Sequence, residues 1–253
     1  MKLSIQELFF EKLDSTQLEA KRQLNNFDPD AITCLIAGEQ TQGYGRYQRH
    51  WLSPAGFENL YCTFYFRLKA DFPHLTALTI FLAYTLAKLL ESFGFKAEIR
   101  WPNDLLIFGK KTAGILCETL IEKDHIQVFL GLGLNLNLNE TEIEKIGQPA
   151  TSLFLESGRK WSRQTVLKAL EELFLKNLDR FLKEGLKPFH TQIETLLAYK
   201  NQRVEIFDGQ NRLEGEILNL NPDGSLKFRD SKNLETKTFY SGELFLKKAT
   251  KSE

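Results

Sequence analysis

The sequence predicts an α+β fold: a mixed β-sheet with packed helices over residues 1–199, followed by a small β-barrel over residues 200–253. Three observations carry that prediction. Strand-like and helix-like stretches before residue 200 mix without the strict βαβ alternation of a doubly wound sheet. After Tyr199 the texture changes to short alternating segments, VEIF, GEIL, SLKF, TKTFY and ELFL, between residues 204 and 246. The turns between them hold Asp208-Gly209 and Pro222-Asp223-Gly224, residue types that the hairpins of a small antiparallel barrel need.

Residues 3–12 read as a strand. Asp14-Ser15-Thr16 then supplies N-cap oxygens, and Thr16 with Glu19 has the spacing of a capping box for a helix reaching about Asn25. Residues 31–37 and 59–68 are strands, parted by a long loop holding Gly43, Gly45, Pro54 and Gly56. The apolar stretch from Leu75 to Leu90 is 16 residues long and carries Lys88, so it reads as a core helix and not as a membrane span. Strands follow at 97–101, 104–108, 112–121 and 126–138. An amphipathic helix covers 162–184, with Val166, Leu167, Leu170, Phe174, Leu178 and Phe181 at helical spacing, and a shorter helix covers 189–199.

The composition, 42% hydrophobic and 26% charged, is that of an ordinary globular protein. Its 33 basic residues balance 33 acidic ones. A net charge of zero excludes capture on DNA or an anionic membrane by overall field and leaves only local patches. Cys34, Cys62 and Cys117 are widely spaced in apolar stretches and read as reduced thiols of a cytoplasmic protein. The N-terminal stretch carries charges throughout and lacks the apolar run of a signal peptide.

Several familiar chemistries are absent. Gly109-Lys110-Lys111 is not a phosphate-binding P-loop, because Asp104 stands where its first glycine belongs and Lys111 where Ser or Thr belongs. Gly43-x-Gly45 and Gly131-x-Gly133 lack the third glycine of a dinucleotide fingerprint, Gln48 and Leu136 occupying those places. The four histidines form no HExxH, no cysteines form CxxC, and no GxSxG elbow occurs.

Three segments stand out instead. EQTQGYGRYQRHWLSPAG (39–56) sets Arg46 and Arg49 among glycines with no acid from 40 to 56, the composition of an anion-binding loop or of a solvated turn. RWPNDLLIFGKKTAGILCE (100–118) turns at Asn103-Asp104 and places Lys111 before small residues, either a point charge aimed into a cleft or a wet strand end. GLGLNLN (131–137) alternates glycine and Asn135 on one face with leucine on the other. A planar ring can approach such a face, which equally suits a bulge or a packing point.

These segments, with LDST at 13–16 and NLYCTFYF at 59–66, resemble the catalytic module of biotin protein ligases over nearly the whole chain. The resemblance implies a biotin/lipoyl ligase-like catalytic domain followed by an SH3-like barrel. It also implies ATP-dependent activation of biotin to an adenylate, with Mg²⁺, and transfer to a lysine of a biotin carboxyl carrier protein. Carried over residue by residue, Lys111 and Arg46 grip the carboxylate and phosphate of the adenylate. Ser15, Thr16, Gln17 and Gln40 hydrogen-bond the biotin head, with Gly43, Tyr44, Gly45 and Gly114 around it. Arg49, Trp51, Asn103, Asp104, Gly133 and Asn135 fall near the nucleotide, and Asp104 is the candidate for the metal. Only about a dozen residues precede LDST, which implies no winged-helix domain and no sequence-specific DNA binding. The expected state is a monomer or homodimer away from membranes.

The chain departs from the family's GRGRxGR loop at Tyr44, which replaces an arginine, and at Gln48, which replaces a glycine. Arg100 replaces a lysine and Thr112 a larger apolar residue. Two other readings therefore stay open: a biotin- or nucleotide-binding regulatory module without catalysis, and a lipoate or octanoate transferase of the same fold.

Overall fold

The computed structural model of the chain describes residues 4–56 and 58–247. Seven strands form one mixed sheet: β1 (Ile5–Leu13), β2 (Ile32–Gln40), β3 (Leu60–Lys69), β4 (Ala97–Arg100), β5 (Asp104–Ile107), β6 (Lys110–Ile121) and β7 (His125–Leu134). Their spatial order is β1-β2-β3-β7-β6-β5-β4, with β1 parallel to β2 and every other pair antiparallel.

Strand alternation sorts side chains to the two faces. Cys34, Ile36, Cys62, Phe64 and Leu130 point to one face, where helices α2 (Leu78–Ser92) and α5 (Arg163–Glu184) cover them. Phe174 of α5 stacks on Phe64 with ring centroids 4.5 Å apart, and Phe81 of α2 stacks on Phe181 at 4.6 Å. Each such fully buried ring contributes roughly 1.5–3 kcal/mol. The 18 residues Leu75–Ser92 are apolar enough to cross a membrane by length and composition, yet they are mostly buried in this core. On the opposite face Leu35, Tyr65 and Phe129 pack under the shorter helix α1 (Thr16–Gln23).

The second sheet begins three residues beyond the expected boundary. Strands β8 (Arg203–Phe207), β9 (Arg212–Leu220), β10 (Leu226–Asp230), β11 (Thr236–Phe239) and β12 (Glu243–Leu246) run antiparallel in the order β11-β10-β9-β8-β12. It shares the main hydrophobic cluster through Val204, Ile206, Ile217 and Phe228. Trp101, buried at 2% exposure, donates its Nε1–H to Gly224 O at 2.9 Å, and Thr76 donates to Asp223 O, so polar bonds also pin this sheet down.

Four local expectations shift. The cap of α1 is Ser15, whose Oγ accepts from Gln17 N, while Thr16 is already helical, so no Thr16–Glu19 capping box forms. β7 stops at Leu134, because the amides of Leu136 and Asn137 turn to the Asn59 side-chain oxygen. Two short helices, α3 (Glu140–Glu144) and α4 (Leu153–Ser157), are capped by Asn139 and Ser152 and escape notice in the sequence. The last helix, α6 (His190–Leu196), is preceded by a 3₁₀ turn and ends before Tyr199.

Candidate active site

The α1 face of the sheet carries the site. Pairing aligns Asp104 with Gly114 and Gly114 with Gly133 in one row across three strands, and Gly131 with Thr63 in the next row on the same face. Lys111 is three positions from Gly114, and plain alternation would send it to the other face. A bulge intervenes: Leu105 pairs with Ala113 but Leu106 with Lys111, leaving Thr112 as the extra residue. The Lys111 side chain therefore returns to the glycine face, where its Cε lies 3.3 Å from the place a Cβ on Gly114 would occupy.

A planar ring does lie on this face, and it is the protein's own. A Cβ on Gly133 would stand 2.3 Å from Trp51 Cε2, and one on Gly114 2.8 Å from Trp51 Cζ3. Lys111 Nζ sits 5.2 Å from the centre of that indole, within cation–π range. The buried Trp51 Nε1–H has no partner among the described residues.

One end of the cavity is neutral and polar. Gln40 Oε1 accepts from Thr16 N at 2.9 Å, Thr63 Oγ1 lies within hydrogen-bond distance of both Thr16 Oγ1 and Gln17 Oε1, and Gln17 Nε2 donates to Phe129 O at 2.9 Å. Gly131 permits this, since a Cβ there would lie 2.8 Å from Gln17 Oε1. These groups are held in fixed orientations by one another, which suits a head group that offers donors and acceptors together.

The other end is cationic. Arg46, Arg49, Arg100 and Lys111 line it against two carboxylates among the described residues, Asp104 and Glu243. Buried Asp104 lies between two of the cations, with Arg100 Nη2 at 2.5 Å and Lys111 Nζ at 2.7 Å. Burial works against the Arg100 charge, but the Asp104 carboxylate outweighs it and holds the guanidinium protonated. Arg46 donates to Gly242 O at 2.8 Å and to Ser241 Oγ at 2.7 Å, and Arg49 pairs with Glu243 at 2.6 Å. The second sheet thus reaches the cavity through its β11–β12 turn. The loop itself is a small hairpin, with Gly45 N donating to Arg49 O and Trp51 N to Gly43 O. Gln48, where the resembled motif has glycine, adopts φ 57°, the left-handed region that glycine enters freely.

All the candidate residues except Gly43 and Asn135 line this single cavity. Gly43 is packed against Ser53 and Trp51 and lines a shallower neighbouring groove. Asn135 is buried beyond the end of β7, gives its amide N–H to Thr151 O in the approach to α4, and is not among the residues lining the cavity. Sequence reasoning missed Thr63 and the Ser241–Glu243 turn, and also Lys21 and Glu118, which line the neighbouring groove. For Glu118 the alternation from Gly114 through Leu116 was a usable signal; for the turn there was none, since it lies nearly 200 residues from Arg46. Asp104, the candidate for the metal, already pairs with two cations, and among the described residues no three His, Cys, Asp or Glu side chains gather.

A mixed sheet bearing a glycine face, with a neutral polar cluster at one end of the cavity and a cationic hairpin at the other, has the chemistry to receive an anionic ligand with a hydrogen-bonding head. The chain belongs to the biotin/lipoate A/B protein ligase family, whose pattern matches residues 9–135. It is 30% identical over 244 residues to the bifunctional ligase/repressor BirA of Bacillus subtilis, covering 94% of this chain and 73% of that one. It is also 30% identical over 172 residues to the biotin–[acetyl-CoA-carboxylase] ligase of Paracoccus denitrificans, covering 64% of this chain and 69% of that one. Among solved structures, the biotin protein ligase of Aquifex aeolicus in complex with biotin and ATP superposes with a TM-score of 0.80 at 29% identity, covering 96% of this chain and 99% of that one.

Proposed function

We propose that the protein is an ATP-dependent biotin protein ligase that charges a lysine of a biotin carboxyl carrier protein. One observation supports this above the others: a single cavity joins the neutral cluster of Thr16, Gln17, Gln40 and Thr63 to the cations Arg46 and Lys111. Biotin has the matching polarity, a urea-like head at one end and a carboxylate at the other.

In the first step a carboxylate oxygen attacks the α-phosphorus of ATP, the bond from that phosphorus to the bridging oxygen breaks, and pyrophosphate leaves. Two anions must meet, so the step needs fixed positive charge. Lys111 supplies a point charge that Asp104 keeps aimed at the glycine face, and Arg46 supplies a fork from the loop. The unpartnered Trp51 N–H is a further donor for a ligand oxygen. Mg²⁺ enters with the nucleotide as part of that substrate. In the second step a lysine amine attacks the acyl carbon, AMP leaves, and the amine gives up a proton. The hairpin 43–51 shields the mixed anhydride from water until then.

The test is calorimetry with biotin followed by ATP, then mass analysis of the small molecule released on denaturation. Biotinyl-5'-AMP is the expected species. Biotin binding with no adenylate would instead favour the regulatory-module reading, which the Tyr44 and Gln48 departures suggest. Acceptance of lipoate or octanoate in place of biotin would favour the transferase reading.

A further inference from the structure

We propose that Tyr44, Glu118 and Lys21 form a latch that holds the glycine hairpin down over the cavity, so that the adenylate is retained by a hydrogen bond within the protein where the family motif has an arginine. This rests on the ligase reading for its consequence, but the latch itself is a property of the free protein.

The Tyr44 hydroxyl donates to Glu118 Oε2 at 2.9 Å, across 74 residues of chain. Lys21 Nζ stands 2.8 Å from Glu118 Oε1 and 3.5 Å from the Tyr44 hydroxyl, closing a three-membered cluster. Each partner comes from a different element, and each is placed by the site. Glu118 follows Gly114 and Leu116 on the same face of β6, opposite Phe129. Lys21 is one helical turn beyond Gln17 on α1, so it emerges beside the neutral end of the cavity. Tyr44 opens the hairpin, bridged to His50, and both residues line the cavity and the groove behind it.

The hairpin is therefore moored on two flanks. Arg46 and Arg49 tie one flank to the β11–β12 turn. Those ties must loosen when an arriving anion claims the guanidinium of Arg46. Tyr44 holds the other flank through a group with no charge to surrender to the ligand. Because the acceptor is an ionised carboxylate, the bond is of the stronger, charge-assisted kind. Burial pushes the Glu118 carboxyl up, but Lys21, with Gln17 and Tyr44, outweighs it and holds the group below its usual range, so the acceptor stays ionised at neutral pH. Burial and then Glu118 push the Tyr44 phenol up, so the donor keeps its proton. Tyr44, Glu118 and Lys21 are positioning residues, acting on the ligand through the hairpin.

Two readouts decide the matter. In the ligand-free protein, hydrogen exchange at the Gly45 and Trp51 amides should quicken about tenfold in Tyr44→Phe and in Glu118→Ala, the weight of one such bond. Protection in the core strands should not change. Glu118→Gln keeps a neutral acceptor for the phenol and should restore part of the protection, and Tyr44→Phe/Glu118→Ala should be no worse than either single change. In a pulse–chase with labelled biotin, ATP and no acceptor protein, the same two single variants should release adenylate about tenfold faster than wild type. Unchanged hairpin exchange in Tyr44→Phe, or effects that simply add in the double variant, would overturn the latch. If wild type forms no adenylate, the ligase reading falls while the exchange data still decide on the latch.

Discussion

Lys111 Nζ lies 2.7 Å from Asp104 Oδ1, and the other oxygen of that carboxylate is held by Arg100. One buried acid thus aims the cation that faces the glycine row and keeps its neighbour from repelling it. Asp104→Asn would leave Arg100 and Lys111 close together without the carboxylate that now stands between them. Breaking one partner out of a buried ion cluster is strongly destabilising, roughly 3 kcal/mol. The urea midpoint should fall accordingly with an unchanged m-value, and adenylate formation should fall with it.

Gly133→Ala tests the seat of Trp51. A Cβ there would stand 2.3 Å from the indole, an impossible contact, so the ring must leave the sheet. We expect altered tryptophan fluorescence and at least a tenfold loss of nucleotide affinity by calorimetry, on the order of one lost packing contact.

Glu171 on α5 is pushed up to about 7 from its ordinary 4.5, first by burial and then by the Glu7 carboxylate. Its folded value is above its unfolded value, so the unfolded chain loses the proton first as pH rises. Stability associated with this group is full below about 4.5, falls as pH rises towards 7, and stays low above it. Glu171→Gln should therefore raise the melting temperature at pH 8 and leave it nearly unchanged at pH 4.5. Equal effects at both pH values would exclude the titration as the cause.

Trp101→Phe removes the donor to Gly224 O and part of a buried ring. An orphaned buried acceptor costs about 1–3 kcal/mol, so thermal unfolding should shift down measurably. The second sheet should lose protection first in hydrogen exchange, because this bond joins it to the rest of the molecule.

The long elements were legible because burial imposes a period on them. The apolar stripe of α5 and the apolar run of α2 could be read directly, and so could the glycine face of β6 and β7. What could not be read depended on contacts remote in sequence or on uneven counting. The bulge at Thr112 turns Lys111 to the working face, and alternation counted evenly from Gly114 would miss it. Leucines continue their alternation through Leu136 and Leu138, so β7 looks longer than it is. The backbone has by then left the sheet for Asn59, which takes Asn135 behind the cavity. Ser15 and Thr16 have similar capping chemistry, and only Gln40, bonding the Thr16 amide, decides between them. The mooring of Arg46 to Ser241 and Gly242 joins the two ends of the chain, and no local pattern announces it.

The most direct test of the proposed chemistry is exchange of labelled pyrophosphate into ATP, measured with and without biotin in the presence of Mg²⁺. Wild type should exchange only when biotin is present, and Lys111→Ala should lose most of that exchange while keeping its fold. No biotin-dependent exchange in the wild type, or full exchange in Lys111→Ala, would contradict it.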